Sequence, residues 1–163
     1  MSSHRGFQFD SSLSQWEPAF DSPEFSGDSL SVATWNVWFG EYGFEERAGA
    51  LLAELERRCL DIVALQEVTP RLLKIITACD WVREFYTLSE VEPAWMGDYG
   101  CLFLSRRAPS SVRRFKLPGV MKRYALLADF ATSHGPLTVV TVHLESMGFQ
   151  HQVRGEQLQE IFW

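Results

Sequence analysis

The sequence predicts an α/β chain built on one mixed sheet or two packed sheets with helices on the outside, and three observations predict it. The run Asp61-Ile62-Val63-Ala64-Leu65-Gln66-Glu67 is short and almost uninterrupted in its apolar character. It reads as a strand buried on both faces and stopped at Thr69-Pro70. Between Ser31 and Glu67 a strand, a helical period and that buried strand follow one another, as in a βαβ unit. Beyond Phe85 come five strand-like stretches parted by turn residues, too closely spaced for crossover helices, so neighbours there are antiparallel.

Residues 1–29 are rich in Ser, Asp and Pro, with Phe7, Phe9, Trp16, Phe20 and Phe25 at no helical or strand period. They read as a largely irregular tail, of which the part around Trp16-Glu17-Pro18 lies over the folded body. The domain runs from residue 30 to 163. Its first strand, 31–38, gives way at Gly40 and Gly43 to a helix whose face carries Phe44, Ala48, Leu51, Leu52, Leu55 and Cys59, with Glu54 and Arg58 four apart on the other side. After the buried strand, Pro70 opens a second helix over 71–78. The five later strands are 85–88, 99–105, 111–117, 124–132 and 137–143, the last two joined by His134-Gly135-Pro136 as a hairpin. Residues 150–163 read as a helix with a stripe of Val153, Leu158, Ile161 and Phe162. It ends on Ile161-Phe162-Trp163 with neither a glycine nor a basic last turn. Either that helix docks fully, or the chain is a fragment whose remaining strands lie beyond it, and the second is the preferred expectation.

Composition narrows the function classes. At 163 residues and 46% hydrophobic content, the chain suffices for one globular domain. No apolar run approaches the roughly 18 residues of a membrane span, and no secretory signal is read at the N-terminus. Cys59, Cys79 and Cys101 are odd in number and lie outside any C-x-x-C pattern, which speaks against a disulfide framework and a structural zinc site. The expected location is intracellular, in nucleus or cytoplasm. A net charge of −6 argues against wholesale adhesion to nucleic acid. Seven of the fifteen basic residues nevertheless fall in one stretch, as Arg106, Arg107, Arg113, Arg114, Lys116, Lys122 and Arg123. That cluster suits a phosphate-bearing polymer, or equally the solvated face of edge strands.

Three strands end in polar residues: Thr34-Trp35-Asn36, Leu65-Gln66-Glu67 and Val142-His143-Leu144-Glu145-Ser146. Asn36 offers a carbonyl oxygen to a metal and an NH₂ to a phosphate, Glu67 a carboxylate to a hard cation, and His143 a hydrogen bond or proton to an oxyanion. Taken singly, each also fits a plain role. Asn36 then caps a turn, His143 is a core histidine and Glu145 is the outward acid of an alternating strand.

In this order, Thr34-Trp35-Asn36-Val37, Leu65-Gln66-Glu67-Val68 and His143-Leu144-Glu145-Ser146 resemble the endonuclease/exonuclease/phosphatase superfamily, and within it most the 5′-tyrosyl-DNA phosphodiesterase branch. The resemblance runs from Ser31 to the C-terminus, through Met121-Lys122-Arg123-Tyr124 and Arg154-Gly155-Glu156-Gln157. It implies a four-layer αββα sandwich, two packed mixed sheets flanked by helices, of which this chain holds roughly the first half. It further implies a Mg²⁺-dependent phosphodiester hydrolase, with Mn²⁺ as the alternative metal. Glu67 becomes the metal ligand, Asn36 its catalytic neighbour and His143 the donor to the scissile phosphate, while Ser146 and Arg123 contact the substrate. The implied partner is nucleic acid, a DNA 5′ end or a protein–DNA adduct.

The sequence also departs from that pattern. The family's later Gly-Asp-x-Asn and Ser-Asp-His motifs are absent, and the Gly-Asp pairs present, Gly27-Asp28 and Gly97-Asp98, precede His143. Two function classes therefore stay open: a phosphodiester hydrolase of which this is an incomplete, inactive piece, and a non-catalytic remnant or binding module of the same fold.

Overall fold

A computed structural model describes residues 4–162 and sets two β-sheets face to face. Six strands, β1 (Phe7–Asp10), β2 (Gln15–Pro18), β3 (Val32–Asn36), β4 (Ile62–Val68), β5 (Thr87–Leu88) and β6 (Gly100–Ser105), form one sheet in the order β2-β1-β5-β6-β4-β3. The other sheet holds β7 (Ser111–Lys116), β8 (Tyr124–Thr132) and β9 (Gly135–Val142) in sequence order. As the residues predict, β3 and β4 pair in parallel across helix α1 (Phe44–Arg58), whereas β8 and β9 form an antiparallel hairpin closing at Thr132 and Gly135.

The alternation of side chains along β4 and β6 builds both core layers. Val63, Leu65, Leu102 and Leu104 face the helices, where they meet Phe44, Leu51 and Leu55 of α1, Leu72, Leu73 and Ile76 of α2 (Pro70–Ala78), and Val82 of α3 (Asp80–Phe85). Ile62, Ala64, Cys101 and Phe103 face the second sheet and pack on Val112, Leu126, Ala128 and Phe130. Every residue of β4 is buried, because this strand is covered on both faces and flanked on both edges. α1 ends where Cys59 takes a left-handed turn (φ 49°), and the Thr69 hydroxyl caps α2 by accepting from Leu72 N at 3.2 Å. The Glu54–Arg58 pair forms at 2.5 Å.

Residues 4–29 depart from the irregular tail read in the sequence for 1–29. β1 and β2 make a hairpin that extends the large sheet, with Phe7 opposite Leu88 of β5, and Phe25 is buried between the sheets against Phe130. Their aromatics show no period because each strand has only four residues and each ring meets a different neighbour: Phe9 meets Trp16, and the Trp16 indole donates to Thr77 O at 3.1 Å. α3, six residues long, is likewise too short to show a helical period. The last helix, α4 (His151–Phe162), does not bury its apolar stripe. Leu158 is 41% and Phe162 78% exposed, while the one buried residue of the helix is Gln157. Trp163 lies outside the described residues.

Candidate active site at the strand ends

The site begins with a distortion of the most buried strand. Pairing between β4 and β6 slips between Leu65 and Val68, and within this bulge Glu67 adopts a left-handed backbone (φ 63°). A bulge re-aims a side chain, and a non-glycine residue in that conformation carries a cost of about 1–3 kcal/mol. Here it turns a carboxylate out of the apolar core toward the end of the sandwich.

Glu67 is met there by the ends of the neighbouring strands. Asn36, the last residue of β3, donates from Nδ2 to Glu67 Oε1 at 2.9 Å, and its own Oδ1 accepts from Trp38 N. Phe39 N donates to Glu67 Oε2 at 3.0 Å. From the other sheet, His143, just past β9, brings Nε2 to 3.5 Å from Glu67 Oε1. Three of the polar strand ends thus converge. Gln66 fastens them: its amide nitrogen reaches Thr34 Oγ1 of β3 at 2.9 Å and Thr141 Oγ1 of β9 at 2.8 Å.

A cavity of about 370 Å³ opens beside Glu67 and His143, and Tyr99, Lys122 and Arg123 also line it. The Tyr99 ring stacks on Phe39 with centroids 4.7 Å apart, and the Arg123 guanidinium lies over the Tyr99 ring at 5.3 Å. Burial lowers the His143 pKa, the Arg123 charge lowers it further, and Glu67 opposes both, so the ring is neutral near pH 7. Its Nδ1 and the Arg123 Nε are buried without a hydrogen-bond partner among the described residues. Two orphaned nitrogens beside a cavity suit an anionic ligand that supplies oxygen acceptors.

The residues present also fit a sparse Mg²⁺ site. Mg²⁺ keeps most of its waters and takes one or two carboxylates from a protein, and among the described residues the two Glu67 oxygens hold two hydrogen-bond donors between them. Among the described residues no group of three or more His, Cys, Asp or Glu gathers to hold a metal, and Glu67 and Asp98 are the carboxylates in the cavity lining.

The sequence-read candidates do not all arrive here. Asn36, Glu67, His143 and Arg123 converge. Ser146 is exposed, lies outside the cavity lining and approaches Met121 Sδ at 3.7 Å. The basic cluster splits, with Arg113 paired to Asp129 at 2.8 Å and Arg114 to Glu90 at 3.2 Å, which leaves Lys122 and Arg123 at the cavity. Glu145, whose plain reading was an outward acid, is 1% exposed: it accepts from Met121 N at 2.8 Å and so holds the turn that carries Lys122 and Arg123. Sequence reasoning passed over Tyr99, and it gave Glu145, quoted within His143-Leu144-Glu145-Ser146, no role beyond that of an outward acid.

Comparison with known proteins finds solved structures of similar fold. TDP2 of D. rerio complexed with a single-strand DNA product is similar at 28% identity and TM-score 0.70, over 81% of this chain and 52% of that one. A humanized D. rerio TDP2 carrying 14 mutations is similar at 26% identity and TM-score 0.69, over 81% and 57%. The human Nocturnin catalytic domain, with a bound sulfate anion, shares the fold at 20% identity and TM-score 0.63, over 86% and 60%. The chain therefore spans a little over half the length of the solved relatives it matches. No curated protein sequence matches it. The profile of the endonuclease/exonuclease/phosphatase family matches residues 33–159, and the chain belongs to that family.

Proposed function

We propose that this chain carries the metal-anchoring and phosphate-binding part of a Mg²⁺-dependent phosphodiester hydrolase acting on nucleic acid, of the 5′-tyrosyl-DNA phosphodiesterase kind. The observation that carries the reading is the strained Glu67 carboxylate facing the His143 ring at 3.5 Å beside a cavity with two orphaned nitrogens. The similar D. rerio TDP2 was crystallised with a single-strand DNA product, which favours a DNA strand as the ligand.

In this reading Asn36 and Phe39 N fix the Glu67 carboxylate, so that the metal anchor is oriented before substrate arrives. A bound Mg²⁺ supplies Lewis acidity toward a phosphate oxygen. The neutral His143 ring donates a hydrogen bond to the phosphate, and Arg123 and Lys122 add positive charge from the lining of the same cavity. Tyr99, packed against Phe39 and Arg123, adds an aromatic side to the cavity. The Gly-Asp-x-Asn motif, which in the resembled family orients the attacking water, is absent from the sequence, so hydrolysis by residues 1–163 alone is expected to be undetectable. That expectation also keeps the second reading, a nucleic-acid-binding module of the same fold, in play.

Binding of a fluorescent single-stranded oligonucleotide with a 5′-phosphate, measured by anisotropy with and without Mg²⁺, tests the proposal. Mg²⁺ should strengthen binding to the wild type and not to Glu67→Gln. Affinity that ignores both the metal and the substitution would rule the metal anchor out and leave the binding module.

A further inference from the structure

Trp95 is held in place and yet left open. It belongs to the 3₁₀ turn Pro93–Met96 and is 65% exposed. From β7, Arg114 Nη1 donates to Trp95 O at 3.2 Å, and the guanidinium lies 5.8 Å from the Trp95 ring centre and 5.2 Å from that of Tyr124. Arg114 is itself paired at 3.2 Å with Glu90, a buried carboxylate that also accepts from Val91 N and Glu92 N. Trp95 lines the Glu67–His143 cavity and also a second one of about 390 Å³, and among the described residues no other lines both.

The N-terminal segment supplies part of the second cavity's wall. His4 joins β7 through two backbone hydrogen bonds with Val112, Phe7 stands opposite Leu88 in the large sheet, and His4, Phe7 and Val112 all line the cavity. Burial lowers the His4 pKa, Glu90 opposes this and the Arg114 charge adds to it, so the ring is neutral near pH 7. Its Nδ1 accepts from Gly6 N at 3.1 Å, which leaves Nε2–H as a donor, while Glu92 brings an acceptor carboxylate to the same lining. His4 and Phe7 lie outside residues 33–159, so this wall is not part of what the family match covers.

We propose that the second cavity is a nucleobase subsite: one base of a strand whose phosphate sits beside His143 stacks on the Trp95 ring and meets His4 and Glu92 with its polar edge. The inference rests on reading the Glu67 cavity as a phosphate site. A ligand that fills both cavities must carry a flat group a short link from its phosphate, because a single indole separates them, and a nucleotide has that form. Phe7 and Trp95 offer apolar faces to a ring, and a base edge carries both the acceptor that His4 needs and the donor that Glu92 needs. The volume lies in the range of about 300–1,000 Å³ usual for small-ligand sites. Trp95 is already anchored through its carbonyl and Arg114, so stacking costs it little freedom.

Anisotropy on the full chain tests this with a 5′-phosphorylated single-stranded oligonucleotide and three versions of it, each with an abasic sugar at the first, second or third position. Trp95→Ala should weaken binding of the intact strand about 5- to 100-fold, the range for losing one base–aromatic stack, and Trp95→Phe should restore most of it. The loss should be equal with and without Mg²⁺, and it should vanish for the one abasic strand that leaves the subsite empty. Phe20→Ala, which removes an exposed ring that lines neither cavity, should change nothing. Binding of the intact strand that ignores Trp95→Ala, a full loss in all three abasic strands, or equal weakening by Phe20→Ala would each overturn the subsite and leave the Glu67 reading standing on its Mg²⁺ dependence. Absence of that dependence alone overturns the metal anchor and not the subsite, and a wild type that binds no strand overturns both.

Discussion

The Gln66 amide nitrogen lies 2.8 Å from the Thr141 hydroxyl, and this bond joins the two sheets directly beneath the Glu67–His143 pair. The same nitrogen also reaches Thr34, so one side chain sets the spacing of all three strand ends that build the site.

Gln66→Leu keeps the volume and removes that tie. With Thr141 buried and its partner lost, the fold should lose about 1–3 kcal/mol, the usual cost of stranding a buried polar group. Urea denaturation checks this, and a midpoint equal to that of the wild type would mean that the sheets are held together by the apolar layer alone.

His143 should titrate below its ordinary value of 6.5. The unfolded ring takes its proton near 6.5, so below that pH the unfolded chain binds more protons than the folded one. This contribution to stability is therefore fully present above 6.5 and falls as the pH drops toward the lower folded pKa. Nuclear magnetic resonance of the ring protons reads the pKa directly. Arg123→Met should raise it by removing a nearby positive charge, and Glu67→Gln should lower it further.

Gly119 has φ +123°, and a Cβ added there would overlap Glu145 Oε1. Gly119→Ala should therefore destabilise the chain by at least about 1–3 kcal/mol, through backbone strain and displacement of Glu145. Thermal melting measures the loss. The accompanying release of the Met121 turn should weaken oligonucleotide binding through Lys122 and Arg123, which anisotropy detects.

The three cysteines should react in order of exposure. Burial pushes the Cys101 thiol up to about 11, whereas Cys59 is exposed at the end of α1. Iodoacetamide at neutral pH, followed by peptide mass spectrometry, should label Cys59 readily and Cys101 only after unfolding.

The parts of the fold that were legible in the sequence are those in which burial is uniform along an element. β4 shows as an apolar run because both its faces are covered, and α1 shows because one face is covered over four turns. The β1–β2 hairpin and α3 were not legible, since four to six residues hold too few periods to outweigh their Ser, Asp and Pro content. Asn36, Glu67 and His143 stood out because each ends an apolar strand with a polar group. Tyr99 and Glu145 did not, because their roles arise only where distant segments meet: Tyr99 against Phe39 and Arg123, Glu145 between Met121 and the Gln157 side chain.

That last contact governs how α4 behaves. Gln157 is fully buried, its Oε1 accepting from Glu145 N at 3.0 Å and its Nε2 donating to Pro118 O at 2.7 Å, while the helix hides almost no apolar surface. A segment held by directional bonds, each worth about 1 kcal/mol net, and not by an apolar face, opens as a small unit of its own. α4 should therefore exchange its amide hydrogens and admit trypsin at Arg154 well before the sheets loosen. When it leaves, the Met121 turn loses the strap that keeps Lys122 and Arg123 against the cavity.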